Sequence, residues 1–113
     1  MLNWNYLNEI TGGDSEFIAE LLGDFLNITP ELIAQIERAI EQGDAHALAH
    51  AAHTLKGSAR SIGAESFAEY ALALEQMGKS AQLQNAPDAL QLLSEQWVQL
   101  QCYLDDYLQQ RVA

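Results

Sequence analysis

Apolar residues recur at steps of three and four along most of this 113-residue chain. A clear example runs through the middle of the sequence, at Leu48, Ala52, Leu55, Ala59 and Ile62. Positions with this spacing lie on one face of an α-helix, and such a face packs against a hydrophobic core. Similar patterns follow one another without a strand signal between them, so we expect an all-α fold.

Helix caps and helix breakers divide the chain into segments. We predict an N-terminal segment that ends at residues 11–13, then a helix over about 15–27 capped by Asp14 and a helix from Pro30 to Gly43 capped by Thr29. A further helix is predicted between Asp44 and Gly63, followed by one that stops at Gly78. Pro87 and Asp88 are predicted to open the last helix. The short connections favour an antiparallel up-and-down bundle of four long helices with an additional short N-terminal helix across one end.

The aromatic residues are expected in two places. Four fall on apolar helix faces and are predicted core residues: Phe17, Phe25, Phe67 and Trp97. Trp4 and Tyr6 are predicted to pack as a lid on the bundle, with an exposed apolar patch for a partner as the alternative.

Composition favours one compact domain over residues 1–113, because 49% of the residues are hydrophobic and only two are prolines. The single cysteine, Cys102, excludes an internal disulfide and suits a reducing cytoplasm. No apolar run approaches the roughly 18 residues that a membrane span needs. The initial Met1 and the compact ending favour a free-standing protein over a domain cut from a larger one.

The charge balance points to a protein partner. Sixteen acidic residues against five basic ones give a net charge of -11, which opposes binding to nucleic acid or to anionic membrane surfaces. Most of the excess is expected to be a solvated surface that favours solubility.

His53 is predicted to face solvent. At about 100° per residue, it lies about 140° from the centre of its helix's apolar face, and Gly57 lies about 180° from it. A core histidine fits this position poorly. Lys56 and Gly57 follow His53 by three and four residues, so both flank it one turn further along the helix. Glycine inside a helix costs about 1 kcal/mol relative to alanine, which suggests that Gly57 leaves room for another molecule at His53.

The motif around this histidine resembles the signature of histidine-containing phosphotransfer (HPt) domains. The matching residues are His53-Thr54-Leu55-Lys56-Gly57-Ser58-Ala59, followed by Ile62-Gly63-Ala64. Weaker agreement at Gly13-Asp14, Phe25-Leu26 and Leu74-Glu75 extends the resemblance over about residues 10–78, whereas the last helix matches only in its pattern.

The resemblance implies a four-helix bundle in which His53 accepts a phosphoryl group from the aspartyl phosphate of one receiver domain and passes it to another. The expected partners are response-regulator receiver domains and a sensor histidine kinase, which can be a hybrid kinase. No cofactor is expected on this chain, and magnesium is expected on the partner receiver domain. The chain has no glycine-rich nucleotide loop, so it is expected to carry phosphate without autonomous kinase activity.

Four further residues receive site roles. Lys56 is expected to offset phosphoryl charge and Gly57 to leave space for the partner. Ser58 is a candidate hydrogen-bond donor near His53, although a bond to its own helix backbone is an equal alternative. Glu75 corresponds to a glutamate that, in some HPt relatives, hydrogen-bonds the imidazole nitrogen that is not phosphorylated. An ordinary exposed glutamate is the alternative, and a separation beyond about 5 Å from the His53 ring would exclude the contact.

A receiver that docks at His53 is expected to touch four more positions on the same face: His50, Lys56, Gly57 and Arg60.

Two other function classes remain as alternatives. His46, His50 and His53 fall on one helix face at spacing that could bind zinc, nickel or copper, but no cysteine is near and no metal site is assigned. A non-catalytic docking bundle is the second alternative, and the presence of Gly57 argues against it, because such a helix would gain stability from alanine there.

Overall fold

The computed structural model describes the backbone of residues 1–112 and the side chains through residue 110. Its helices are α1 (Trp4–Thr11), α2 (Ser15–Gln42), α3 (Ala45–Ser61), α4 (Glu65–Ser80) and α5 (Ala86–Val112). Helix α3 packs mainly on α4 and also on α2, while α5 contacts both α2 and α4. The predicted bundle of four long helices with a short N-terminal helix is therefore confirmed, although the helix boundaries that we predicted divide one of the four into two.

The core is one cluster of apolar side chains contributed by all five helices. Phe25 of α2, Phe67 of α4 and Trp97 of α5 meet in it, with ring centroids 5.8 to 6.1 Å apart. Aromatic pairs at this separation add to the stabilisation from apolar burial. Phe17 was wrongly predicted to be a core residue, since it is 43% exposed and the neighbouring Ile18 is buried in its place.

Helix α2 is continuous where we predicted two helices that meet at residues 28–30. Thr29 does not cap a new helix, because its hydroxyl donates a hydrogen bond to the Phe25 carbonyl at 2.7 Å, and Pro30 lies inside the helix. Proline removes one backbone donor, but Phe25 and Leu32 are both buried on the same side of the helix. Core packing on both sides of Pro30 therefore keeps the helix intact.

Helix α4 continues past Gly78, which we had predicted to end it. A Cβ atom at Gly78 would lie 2.6 Å from the backbone nitrogen of Ala49 and 2.8 Å from the carbonyl oxygen of Ala45. Both of these residues belong to α3. Gly78 therefore serves a close approach of two helices, and α4 ends at Ser80 with Ala81 in the left-handed conformation at φ 55°.

The N-terminal segment covers the end of the bundle where α3 finishes. The backbone N–H of Asn3 donates to the carbonyl of Gly63 at 2.8 Å, and Gly63 adopts a φ of 74° that suits glycine. The Trp4 indole donates to the Tyr103 hydroxyl at 2.8 Å. Trp4 thus packs against the bundle as expected of a lid residue, whereas Tyr6 is 37% exposed.

Candidate functional site

Helix α3 presents His53 to solvent on the side opposite its core-facing residues. Asp44 caps the helix by accepting a hydrogen bond from the Ala47 backbone N–H at 3.0 Å, as its sequence position predicted. Leu48, Ala52 and Leu55 are fully buried, whereas the His53 side chain is 66% exposed. The predicted exposure of this imidazole is confirmed, and a core histidine is excluded.

Glu75 of α4 is a buried carboxylate that contacts the exposed histidine. Its side chain is 1% exposed, so the alternative of an ordinary surface glutamate is wrong. Glu75 Oε2 lies 2.8 Å from His53 Nδ1, well inside the 5 Å limit we had set, and Oε1 accepts a hydrogen bond from Lys56 Nζ at 2.5 Å. Lys79 Nζ lies 3.1 Å from Oε2. We call these four residues the Glu75 cluster.

The cluster keeps the Glu75 carboxylate ionised. Burial by itself raises the pKa of a carboxyl group, because it penalises the charged form. The hydrogen bonds from Lys56, Lys79 and His53, together with the charge of Lys56, outweigh burial and lower the pKa of Glu75 from 4.5 to about 2. Glu75 is therefore negatively charged at neutral pH.

An ionised carboxylate can only accept hydrogen bonds, and this fixes the proton on the histidine ring. His53 Nδ1 must carry the hydrogen that is donated to Glu75 Oε2 in the neutral ring. The Nε2 atom then keeps its lone pair. Because the His53 side chain is 66% exposed, this arrangement presents a nucleophilic nitrogen on the protein surface.

Close packing of α3 on α4 makes the contact between Glu75 and His53 possible. Gly78 lies one turn after Glu75 and allows its own backbone to approach Ala49 of α3. A larger residue at position 78 would push the helices apart at the level of the site. The distance between His53 and Glu75 is therefore set by a helix crossing as well as by the two side chains.

The surroundings of His53 differ on its C-terminal side. A Cβ atom at Gly57 would meet nothing within 4 Å, so nothing in the fold itself requires glycine there. Arg60 is 43% exposed and lies 3.8 Å from Glu65, an exposed pair that contributes little to stability. Ser58 lines a shallow groove between α2 and α3 together with Leu21 and Ile28. Among the described residues its hydroxyl bonds neither His53 nor the helix backbone, and its carbonyl accepts a hydrogen bond from the Ser61 hydroxyl.

Comparison with known proteins identifies the family. The sequence model of the Hpt domain family matches residues 20–111. The chain belongs to the Hpt domain family. The crystal structure of histidine-containing phosphotransfer protein B from Pseudomonas aeruginosa PAO1 is similar to this Hpt domain, with a TM-score of 0.89 and 26% sequence identity over 96% of this chain and 95% of that one. No curated protein sequence matches.

The function of this Hpt domain is therefore histidine phosphotransfer in a phosphorelay, carried out on a helical bundle. Hpt domains work with receiver domains and kinases, so the partners of this chain belong to those two classes. None of the helices within residues 1–112 is long and apolar enough to span a membrane.

Lys79 is the member of the Glu75 cluster that the sequence analysis missed. It follows Glu75 by four residues on α4, and oppositely charged residues at this spacing are neighbours on a helix surface. That spacing was a usable signal once Glu75 had been placed beside His53. The spacing alone does not place Lys79 at the site, because the sequence does not give the distance between α3 and α4.

The three histidines of α3 were also candidates for a metal site. Within the part of the chain that the structure describes, no group of three or more His, Cys, Asp or Glu side chains is placed to hold a metal ion. His46, His50 and His53 instead line one side of an open groove that Glu75 and Lys79 complete.

Proposed function

We propose that His53 is the phosphoryl acceptor of this Hpt domain. The observation that carries the proposal is the hydrogen bond between His53 Nδ1 and the buried Glu75 carboxylate at 2.8 Å, made by a ring that is 66% exposed. The buried Glu75 carboxylate orients the ring through Nδ1 and leaves Nε2 accessible to a partner. The same arrangement of an imidazole and an orienting carboxylate prepares histidines for reaction in other sites.

The reaction would proceed by attack of His53 Nε2 on the phosphorus of an aspartyl phosphate in a receiver domain. A P–N bond forms, the P–O bond to the aspartyl group breaks, and its electron pair leaves on the aspartate carboxylate. The ring keeps its Nδ1 hydrogen and becomes positively charged, so the hydrogen bond to ionised Glu75 strengthens as the reaction proceeds. Transfer to a second receiver reverses these steps.

The other site residues would assist this transfer without taking part in covalent chemistry. Lys56 shares its charge with Glu75, keeps that carboxylate ionised and adds positive charge near the phosphoryl group. Gly57 leaves open space where the receiver must approach the ring. Ser58 would contact the partner from the groove beside α2, since it lies on that side of α3.

The docking surface for the receiver would centre on the exposed face of α3, at His50, Gly57 and Arg60. The adjoining groove adds apolar contacts from α2, where Leu21 is partly exposed and Ile28 is 40% exposed. A mixture of apolar and polar groups is typical of transient interfaces. We also propose that the receiver supplies the acidic pocket and its magnesium ion. A sensor histidine kinase, which can be a hybrid kinase, would be the source of the phosphoryl group.

A cytoplasmic location is part of the same proposal. Cys102 is a free, exposed thiol, which suits a compartment that keeps thiols reduced.

Phosphate transfer from a panel of phosphorylated receiver domains tests the acceptor. Wild-type protein should gain an acid-labile, base-stable label, and His53→Gln should gain none. His46→Gln is the matched control, because it removes another exposed histidine from the same helix and should leave labelling intact. Equal labelling of His53→Gln and the wild type would move the acceptor to another residue.

Absence of label with every receiver, on a folded and helical protein, would contradict the proposal as a whole. The non-catalytic docking module would then be favoured over the metal-binding bundle, because no group of side chains in the described residues is placed to hold a metal ion. Mass measurement of the intact protein with and without a chelator separates these two alternatives.

A further inference from the structure

The two lysines of the Glu75 cluster are held in different ways. Lys56 is only 14% exposed and donates to Glu75 Oε1 at 2.5 Å. Lys79 is 67% exposed, and its ammonium shares Oε2 with the imidazole N–H of His53. Lys56 is therefore fixed by packing and by an oxygen that it does not share. Lys79 is free to leave its oxygen, because its side chain is mostly in solvent and its partner atom has a second donor.

The charges within the cluster do not balance. Two lysines and one ionised carboxylate leave at least one positive charge in excess in this hydrogen-bonded group. The chain as a whole carries a net charge of -11, so this local excess runs against the overall balance. A phosphoryl group on His53 would bring about two negative charges to this position.

We propose that Lys79 is the direct counter-ion of the phosphoryl group on His53, while Lys56 stays bonded to Glu75 and contributes its charge from there. This inference rests on the proposed function and adds a residue to it. When Nε2 is phosphorylated the ring becomes cationic, and its Nδ1–H donates a stronger hydrogen bond to Glu75 Oε2 than in the unphosphorylated protein. Lys79 then exchanges the carboxylate oxygen for a phosphoryl oxygen, so the cluster gains a charged hydrogen bond on the product side.

The geometry allows this exchange without movement of the backbone. Lys79 Nζ and His53 Nδ1 both lie within hydrogen-bond distance of Glu75 Oε2, so Nζ is at most about 6 Å from Nδ1 and about 8 Å from the phosphorylated Nε2. Both residues line the same open groove of about 360 Å³, together with His46 and His50. A lysine side chain covers such a distance by rotamer changes alone, and those occur within nanoseconds for exposed residues.

The test compares wild type with Lys79→Met and Lys79→Arg, each labelled by the same phosphorylated receiver. Lys79→Met should shift the transfer equilibrium toward the receiver by about tenfold, the size of one charged hydrogen bond, and Lys79→Arg should restore most of the loss. Arg38→Met is the matched control, because it removes the same charge from an exposed position on α2 and should leave the equilibrium unchanged.

Nitrogen-15 NMR of the His53 ring separates a phosphoryl contact from a structural role. In unphosphorylated Lys79→Met the hydrogen should remain on Nδ1, because Glu75 and Lys56 are both still present. A tautomer change in that variant, or failure of Lys79→Arg to restore transfer, would show that Lys79 acts only on the fold and would overturn the proposal.

The outcomes also distinguish this inference from the proposed function. Labelling of His53 in the wild type, with an unchanged equilibrium in Lys79→Met, would overturn the role of Lys79 and leave His53 as acceptor. Absence of label on the wild type would overturn both.

Discussion

The two glycines near His53 show how differently the two sides of the site are built. Gly78 lies at the buried contact between α4 and α3, where an added Cβ would lie 2.6 Å from the backbone of Ala49. Gly57 lies on the exposed face of α3, where an added Cβ would meet nothing within 4 Å. Both are helical glycines that cost about 1 kcal/mol relative to alanine, but only Gly78 is compensated by packing within the chain.

The two glycines therefore distinguish the contacts that position His53 within the chain from the open surface through which a partner would approach it. On the packed side, Gly78 lets α4 approach and the buried Glu75 contacts the ring from below. On the exposed side, no contact within the described chain requires glycine at position 57, which agrees with the proposed approach of a receiver there. Variants on the packed side should therefore lower folding stability, whereas long side chains on the exposed side should slow transfer without lowering stability.

The largest effect is expected at Glu75, as a dependence of stability on pH. Its pKa is lowered from 4.5 to about 2 in the folded protein, so the folded state favours the ionised form. The resulting stabilisation is fully present above about pH 4.5 and is lost as the pH falls toward 2. It amounts to on the order of 3 kcal/mol, and Glu75→Gln should lack this pH-dependent contribution.

Urea unfolding of wild type and Glu75→Gln between pH 7 and pH 2 measures this difference. The gap in unfolding free energy between the two proteins should narrow steadily below about pH 4.5. Glu69→Gln, on the exposed side of the same helix, controls for the removal of one negative charge. A gap that stays constant across the whole range would contradict the buried, paired state of Glu75.

The next effect is expected from the same substitution at the two glycines. Gly78→Ala should lower the free energy of unfolding by about 1–3 kcal/mol, because the new methyl group overlaps the α3 backbone. Gly57→Ala should instead raise it by up to about 1 kcal/mol, because helix propensity improves and nothing is displaced.

Denaturant unfolding of both variants gives the result directly, since each variant is the control for the other. Changes of opposite sign in the unfolding free energy would confirm that helix packing requires glycine at position 78 and does not require it at position 57. A loss of stability in Gly57→Ala similar to that in Gly78→Ala would remove the distinction between the packed side and the exposed side.

The fold could be predicted from the sequence wherever a periodic pattern decided between structures. The exposure of His53 followed from its angle to Leu48, Ala52 and Leu55, and the bundle followed from successive apolar faces. The break at Pro30 was predicted wrongly, because a threonine followed by proline is a sign of a helix start and is also compatible with a helix interior. The apolar positions that continue through Phe25 and Leu32 were the better signal.

The site could be predicted only as far as one helix extends. His53, Lys56 and Gly57 share α3, so their relative positions follow from helix geometry. The contact with Glu75 was expected only by resemblance to a family, and Lys79 was missed. Both depend on the approach of α4 to α3 at Gly78, and a distance between helices is not encoded in the periodicity of either one.

The smallest expected effect concerns Gly57 and leaves the fold untouched. Gly57→Gln should slow phosphoryl transfer about tenfold, a loss of about 1.4 kcal/mol in transition-state stabilisation, because a long side chain would occupy the space through which a receiver approaches His53. Its unfolding midpoint should not fall, since glutamine is the better helix former. Gly57→Ala, which adds a single methyl group, should transfer at nearly the wild-type rate. Single-turnover transfer kinetics with one receiver measure all three proteins, and a wild-type rate for Gly57→Gln would mean that the bare position serves no partner.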